Sequence, residues 1–433
     1  MNGIDSSSLN ITSFSFKDLE NGLNKSYTAI ISGTTITVSL PYAIMSSAIP
    51  TFVHDGVSVS VDGISQESGV TKNNFTNQLT YIVHSANGSS KSYTIIAKAL
   101  FPIPDTGQIS CYDTSGAISC TGSSGAFPSQ DADHTNKPNI RTLSGPILHP
   151  LTNDYTTTDK LTGLIWKTCM EGYSYDGNNC TGSATPSSWT ASSCDYLNIS
   201  NSGVGYAGKK NWRLPTIYEL ANVINFQNFS PAIDSNHFPG VSTYTFWSGT
   251  TLASSPGANY WYLNFVNGEV NQATVATSEN VRCVSGDYPP TAQTFTDNTD
   301  GTVFDNNSGL IWQKCLVGQT GDNCQGSGNA GNNYNASLPN WTQALNSCNV
   351  TLNNRKFRLP NVNELRSLVN YTISSGPAVN PVHFPAAVAS SYWTSSTYVG
   401  LTTYSVLVSF DGGYVFVLAK SSTSYARCVS DEL

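Results

Sequence analysis

The stretch WRLPTIYEL at residues 212–220 decides the architecture of the chain, because it returns 145 positions later as FRLPNVNEL at residues 357–365. The proline at its fourth position suits the first turn of a helix, where a missing N–H costs nothing. Leu220, Val223 and Ile224 then supply an apolar stripe along that helix. The sequence therefore predicts the same helix in two copies of one unit.

Other motifs recur at nearly the same offset, which indicates two tandem modules. These motifs are GLIW at 163–166 and 309–312, HFP at 237–239 and 383–385, WS and WT at 247–248 and 393–394, and RCV at 282–284 and 427–429. We expect the first module at residues 151–287 and the second at residues 288–433.

Each module is expected to be an α+β domain with an antiparallel sheet and two helices. GLIW predicts the first strand, residues 189–197 predict a first helix in the first module, and the repeated RLP motif begins the second helix. The turns at residues 266–268 (VNG) and 411–413 (DGG) lie between alternating apolar runs, which is a strong hairpin signal. The module should end in the strand that carries RCV.

The residues before the modules are of two kinds. Residues 9–100 contain short alternating runs rich in β-branched residues, which predict an all-β sandwich of antiparallel strands. These runs resemble the bacterial Ig-like and cadherin-like modules of surface proteins, which usually serve as spacers. Residues 101–150 are rich in Pro, Gly and Ser and predict a linker that packs partly on the next domain.

The composition argues against nucleic-acid binding. Charged residues are 11% of the chain, and 20 basic against 28 acidic residues give a net charge of −8. A protein without a basic segment lacks the electrostatic attraction that polyanions require.

No apolar run approaches the roughly 20 residues of a membrane span. We expect that an export signal has been removed, and that the native anchor, which could be a lipid, is lost with it.

The ten cysteines predict disulfides and an oxidising compartment. Four lie in each module at matching places, and two lie in the linker, which favours five bridges over metal thiolates. The order of elements brings the first helix near the last strand and so proposes Cys194–Cys283 and Cys348–Cys428, although a bond between Cys169 and Cys283 stays open. The remaining cysteines are Cys111, Cys120, Cys169, Cys180, Cys315 and Cys324.

Together the motifs resemble the C-terminal domain family of the Legionella collagen-like adhesin. The chain carries its GLIW opening, its RLP helix and its Arg-Cys-Val end in two copies, and its Trp-Ser strand as Trp247-Ser248 and Trp393-Thr394. The resemblance implies a fold similar to the C-type lectins and to the formylglycine-generating enzyme. The triplets used by calcium-dependent lectins are missing, and the acidic charge argues against the sulfated glycosaminoglycans that the named adhesin binds.

Several repeated residues are expected to be structural. Arg213 and Arg358 should pair with Glu219 and Glu364 of their own modules. His237 and His383 should be hydrogen-bonded, because no partners at catalytic or metal-ligand spacing accompany them. We predict no metal site, no cofactor and no catalytic residue. Trp166, Trp312, Trp247 and Trp393 should be core residues.

The late loops are the best candidates for a binding surface, because they differ where the scaffolds agree. Aromatic residues there suit sugar rings or protein contacts. They are Tyr260, Trp261 and Tyr262 in the first module and Tyr398 and Tyr404 in the second. The sequence thus predicts a secreted or surface-anchored adhesin that binds a glycan or an extracellular protein. The alternatives are an enzyme of the formylglycine-generating kind and a structural envelope component.

Overall fold

The computed structural model describes residues 9–23, 26–120, 122, 127–240, 244–286, 293–321, 323–324, 326–327 and 338–431. The chain forms two compact units, Met1–Pro102 with Leu161–Gly163, and Ile103–Lys160 with Leu164–Leu433. Strands far outnumber helices among the described residues, which include five short α-helices. None of these helices is long and apolar enough to cross a membrane. The boundary expected at residues 287–288 lies outside the described residues.

The described part of the first unit contains nine strands, one α-helix and one 3-10 helix. The helices are α1 (Asp18–Asn21) and the 3-10 helix Tyr42–Ser47. The strands are β1 (Ile11–Phe16), β2 (Tyr27–Thr28), β3 (Ile30–Ser32), β4 (Thr35–Pro41), β5 (Thr51–His54), β6 (Ser58–Val61), β7 (Ile64–Ser65), β8 (Leu79–His84) and β9 (Ser90–Leu100).

Two sheets of this unit enclose one apolar core. Their strand orders are β2-β1-β5 and β3-β4-β9-β8-β6-β7. Phe14 stacks on Phe52 at 5.9 Å and meets Tyr81 edge-on at 5.4 Å, which ties the two sheets together. One pair departs from the antiparallel expectation, because β4 runs parallel to β9. A parallel pair needs a long connection, and the chain from β5 to β8 provides it.

In the second unit, the first module and the segment before it contain the following elements. The strands are β10 (Cys111–Tyr112), β11 (Ala117–Ile118), β12 (Leu143–Leu148), β13 (Tyr155–Asp159), β14 (Ile165–Lys167), β15 (Tyr173–Tyr175), β16 (Cys180–Gly182), β17 (Trp212–Arg213), β18 (Thr245–Thr251), β19 (Asn259–Asn264), β20 (Val270–Thr274) and β21 (Val284–Ser285). The α-helices are α2 (Tyr196–Gly203) and α3 (Ile217–Asn222), and 3-10 helices lie at Asp131–His134 and Tyr206–Gly208.

The second module repeats this order. Its strands are β22 (Phe295–Asp297), β23 (Thr302–Asp305), β24 (Ile311–Gln313), β25 (Gln319–Thr320), β26 (Gly326–Ser327), β27 (Val350–Leu352), β28 (Arg355–Phe357), β29 (Ser391–Thr397), β30 (Tyr404–Ser409), β31 (Val415–Ala419) and β32 (Val429–Ser430). Its helices are α4 (Trp341–Cys348) and α5 (Val362–Ser367).

Each module brings an early strand beside its last strand. In the first module the sheet order is β12-β13-β14-β21-β17, and Ile165 of β14 pairs with Ser285 of β21. In the second module the order is β22-β23-β24-β32, and Ile311 of β24 pairs with Ser430 of β32. The closure of each module through its ends agrees with the sequence expectation.

The two modules share a further sheet of six strands in the order β18-β19-β20-β31-β30-β29. Strands β18 to β20 come from the first module and β29 to β31 from the second. The two halves meet where Val270 pairs with Val415. The tandem copies are therefore joined through one continuous sheet, which the repeat pattern by itself did not predict.

The helices differ from expectation at their starts. The first helix expected at residues 189–197 is instead a turn followed by α2, because hydroxyl groups there bond locally: Ser193 Oγ donates to the Thr190 carbonyl at 2.8 Å. The RLP proline lies one residue before the N-cap rather than in the first turn. Thr216 and Asn361 are the N-caps, and each forms a capping box with the glutamate three residues later.

All ten cysteines form disulfides. The pairs are Cys111–Cys120, Cys169–Cys180, Cys194–Cys283, Cys315–Cys324 and Cys348–Cys428. The two long-range bonds join the start or end of a helix to the last strand region, as proposed from the order of elements. The open alternative, Cys169 with Cys283, does not occur.

Candidate functional site at the junction of the modules

The repeated RLP motif builds an ion pair within each module. Arg213 donates from Nη1 and Nη2 to the two carboxylate oxygens of Glu219, at 2.8 and 2.6 Å. Glu219 also accepts a bond from the Thr216 N–H at 2.7 Å and so holds the start of α3. Burial raises the pKa of the Glu219 carboxyl, and Arg213 opposes that rise. The expectation of a structural arginine is met.

The second module repeats the ion pair in a more buried form. Arg358 donates to both oxygens of Glu364, each at 2.6 Å. Burial acts to lower the pKa of Arg358, but the charge and hydrogen bonds of Glu364 outweigh it and raise that pKa above its usual range. The Arg358 side chain is 5% exposed, compared with 34% for Arg213. The motif therefore positions the second helix of each module.

The two histidines also have local partners. Nδ1 of His237 lies 2.8 Å from Asp234 Oδ2, and Nδ1 of His383 lies 3.2 Å from Asn380 Oδ1. Both partners precede the histidine by three residues, so each ring stabilises a turn. Trp166, Trp312, Trp247 and Trp393 are fully buried.

The aromatic run of the first module lies on β19 and alternates between the two faces of the shared sheet. Tyr260 stacks on Trp189 with ring centres 3.5 Å apart, and Tyr262 meets Trp247 edge-on. Both tyrosines are half-buried. Trp261 points to the opposite face and is fully buried, where it contacts Tyr371 and Tyr414 of the second module at about 5 Å. Trp261 is thus part of the junction between the modules, outside the open surface.

The candidates of the second module lie apart from that run. Tyr398 and Tyr404 are half-buried, and the Tyr398 N–H donates to the Tyr404 carbonyl. The Tyr398 ring meets Phe229 of the first module edge-on at 5.7 Å. Strand β30 is three strands away from β19, or roughly 14 Å at the usual strand spacing. The five predicted residues therefore do not form one surface.

A cleft opens where the modules meet. It consists of two adjoining cavities of about 360 and 170 Å³, which share Asp411 and Tyr414 and which we call the seam cleft. The larger cavity is also lined by Glu269 and by the paired valines of the seam, and the smaller one by Trp261 and Tyr371. Asp411 is exposed, whereas Glu269 and Tyr414 are half-buried.

The comparison with protein-family models finds the Lcl C-terminal domain twice, over residues 155–285 and 301–430. The chain belongs to the Lcl C-terminal domain family. Its two modules are therefore Lcl domains in tandem, as the sequence resemblance implied.

Among solved structures, the chain is similar to two proteins. One, inferred to be secreted, is from Bacteroides fragilis NCTC 9343; the match has 16% identity and a TM-score of 0.16, and covers 22% of this chain and 97% of that one. The other is a DUF4623 family protein from Bacteroides eggerthii DSM 20697, with 11% identity, a TM-score of 0.15, and coverage of 68% and 59%. No curated protein matches the chain.

The five disulfides assign the Lcl modules to an oxidising environment, because such bonds persist outside the cytosol. The protein is therefore secreted or extracellular, and that prediction is confirmed. Among the described residues, one group with metal-ligand proximity comprises Cys111, Cys120 and Asp133. Its sulfurs are bonded to each other, so they are not thiolate ligands.

The chemistry of the Lcl junction combines aromatic rings with carboxylates. Neither Lys nor Arg occurs among the described residues that line the seam cleft. The sequence indicated Trp261 but missed Glu269, Tyr371, Asp411 and Tyr414. Glu269, Asp411 and Tyr414 lie in or beside the hairpin turns that the sequence predicted. These residues come together in one cleft only because of the way in which the two modules join. An aromatic and acidic cleft of this kind is suited to non-covalent binding.

Proposed function

We propose that the protein is an exported, non-catalytic binding protein of the adhesin type, which presents its tandem Lcl modules to a glycan or an extracellular protein. The observation that carries this proposal is the seam cleft itself. Two disulfide-braced modules join through one sheet, and an aromatic, acidic cleft opens where they meet. Rigid scaffolds that hold polar and aromatic groups around a cleft are typical of ligand-binding sites.

The finer architecture belongs to the same proposal. We assign the first unit as an Ig-like spacer and each Lcl module as a relative of the C-type lectin fold. Two packed sheets around one core support the first assignment. The neighbouring first and last strands, the two helices and the helix-to-end disulfides support the second.

Two considerations favour binding over catalysis. An enzyme of the formylglycine-generating kind needs a reactive pair of cysteines, whereas all ten cysteines of this chain are in disulfides. The repeated arginines and histidines have partners within their own modules.

The net charge of −8 disfavours nucleic acids and sulfated polyanions as ligands.

Binding of the full chain to a glycan array and to immobilised extracellular-matrix proteins tests the proposal. We expect saturable binding to at least one of them by folded protein. If folded protein binds nothing in either assay, the proposed binding function is contradicted and a structural envelope component is favoured. Cross-linking in the producing cell would then identify a constant envelope partner. Labelling of the native protein with iodoacetamide tests the enzyme alternative, and we expect no labelled cysteine.

A further inference from the structure

The junction of the modules is locally two-fold symmetric. Val270 and Val415 are equivalent positions of the two copies, and each is the other's partner in the shared sheet. The equivalence extends outward: Phe226 of the first module corresponds to Tyr371 of the second, and each ring packs near a hairpin glycine, Gly268 or Gly413. Such symmetry gives each backbone position on one side of the seam an equivalent on the other.

One of the two equivalent hollows beside the seam is filled by the chain. Phe229 and Tyr398 pack edge-on at 5.7 Å. A Cβ added at the neighbouring Gly400 would lie 2.8 Å from both rings, so no space remains there. The equivalent residues on the other side are Ser374 and Leu252. Because these side chains are smaller, the second hollow stays open and is the 170 Å³ cavity of the seam cleft.

The wall of the open hollow holds an unpartnered donor. Trp261 is fully buried, and its Nε1–H has no hydrogen-bond acceptor among the described residues. A buried donor without an acceptor is costly, so an acceptor supplied from outside would be favoured. The counterpart of Trp261 in the second module is Val406, so the donor belongs to this hollow and not to the shared scaffold.

Tyr414 lines both cavities, is half-buried and packs edge-on against Trp261. The indole N–H itself is buried, so a ligand reaches it only after a side chain of the cleft lining moves. The Tyr414 ring and that of Tyr371 then provide apolar faces on either side of an incoming group.

The donors and acceptors of the cleft restrict the ligand. Asp411 and Glu269 offer acceptors with negative charge, whereas Trp261 offers a donor. An ammonium or guanidinium group cannot accept from the indole, and a sulfate or carboxylate is repelled by the acidic pair. A hydroxyl group both donates and accepts, so it satisfies both sides.

We infer that the seam cleft binds a neutral saccharide, with one hydroxyl accepting from Trp261 Nε1 and another donating to Asp411. The inference rests on the proposed binding function and specifies its site and its ligand class. The adjoining 360 Å³ cavity, lined by Glu269 and Phe416, extends the cleft beyond the open hollow and accommodates a second sugar ring.

The test is binding of the full chain to an array of neutral oligosaccharides, with heparin oligosaccharides and a lysine-rich peptide as comparison probes. Trp261→Phe removes the donor and keeps an aromatic ring, and Asp411→Asn removes the charge. Ser374→Phe places a ring where the first module has Phe229 and should close the open hollow. Trp166→Phe is the matched control, because the Trp166 indole is also buried and unpartnered, but Trp166 does not line the seam cleft.

We expect wild type and Trp166→Phe to bind a neutral oligosaccharide equally, Trp261→Phe and Asp411→Asn to bind it about tenfold more weakly, and Ser374→Phe to lose binding. Thermal unfolding of each variant confirms that it is folded. Neutral-sugar binding that survives all three cleft variants would overturn the inference and leave the proposed function standing. Binding of the lysine-rich peptide alone, or of heparin alone, would overturn the ligand class. Failure to bind any glycan or matrix protein would remove the proposed function as well.

Discussion

Val270 and Val415, which are equivalent residues of the two Lcl modules, pair with each other across the seam of a shared six-stranded sheet. Both are buried, with exposures of 1% and 2%. Around them Tyr218 donates from its hydroxyl to the Val369 carbonyl, and Trp261 contacts Tyr371. The modules therefore pack against each other at this point, and their stabilities should be coupled.

Val415→Asp should uncouple the modules. The substitution puts a charge in the buried strand pair, so we expect a loss of about 3 kcal/mol or more and a split of the urea unfolding curve of the second unit into two transitions. Val350→Asp is the control, because Val350 is 40% exposed and should tolerate the charge. An unchanged unfolding curve for Val415→Asp would show that the seam does not couple the modules.

Replacing the arginine of the RLP motif should lower the free energy of unfolding more in the second module than in the first. Arg358→Met leaves Glu364 buried without its partner, which typically costs about 3–5 kcal/mol. Arg213→Met should cost less, because that pair has an arginine 34% exposed and water replaces part of the interaction. The free energy of unfolding in urea measures both. If the two variants lost equal stability, or if Arg213→Met lost more, burial of the ion pair would not explain its contribution to stability.

The long-range disulfides should contribute more stability than the short ones. Cys194–Cys283 closes a sequence separation of 89 residues and Cys169–Cys180 one of 11. In the chain-entropy model these closures are worth about 4.6 and about 2.8 kcal/mol. Replacing each pair with alanines and measuring thermal unfolding tests the ranking. If loss of Cys169–Cys180 destabilised the protein more than loss of Cys194–Cys283, the effect would come from the native loop that the short bond closes rather than from the entropy of the unfolded chain.

Asp131 should make stability depend on pH. Burial raises the pKa of its carboxyl to about 7, the charge of Asp105 adds to the rise, and hydrogen bonds from Ser396 and Thr106 oppose it. The folded chain therefore takes up this proton near pH 7 and the unfolded chain near pH 4, so the contribution is complete below pH 4 and is lost as pH rises through 7.

Asp131→Asn removes this proton uptake and keeps an oxygen for Ser396 and Thr106. Between pH 8 and pH 5, wild type should gain on the order of 2 kcal/mol relative to the variant. Urea unfolding at the two pH values measures the difference. A constant difference would place the pKa of Asp131 outside this window.

Much of each module could be predicted because its signals are local. The RLP motif indicated α3 and α5, although each helix begins after an N-cap, Thr216 or Asn361, that lies one residue beyond the proline. Hairpins around residues 266–268 and 411–413 formed where the turn residues indicated them. The prediction of the first helix of the first module was less accurate, because serine and threonine hydroxyls near Thr190 compete with helical hydrogen bonds.

The candidate site could be predicted only in part. Trp261 was indicated by its place in a variable aromatic run, yet alternation along β19 buries it while Tyr260 and Tyr262 lie on the other face. Asp411 and Tyr414 carried no signal of their own, since a hairpin turn with such residues is ordinary in a strand-rich protein.

The sequence by itself determined the duplication, the ion pair of each RLP motif, the sets of cysteines and hence the exported environment, because these depend on residue identity and short spacing. Only the tertiary structure decided that the two copies join edge to edge at Val270 and Val415, and that one of two equivalent hollows is filled while the other stays open. The reason is physical: strand pairing and ring packing between distant segments depend on shape complementarity over the whole junction, which a repeat in the sequence does not specify.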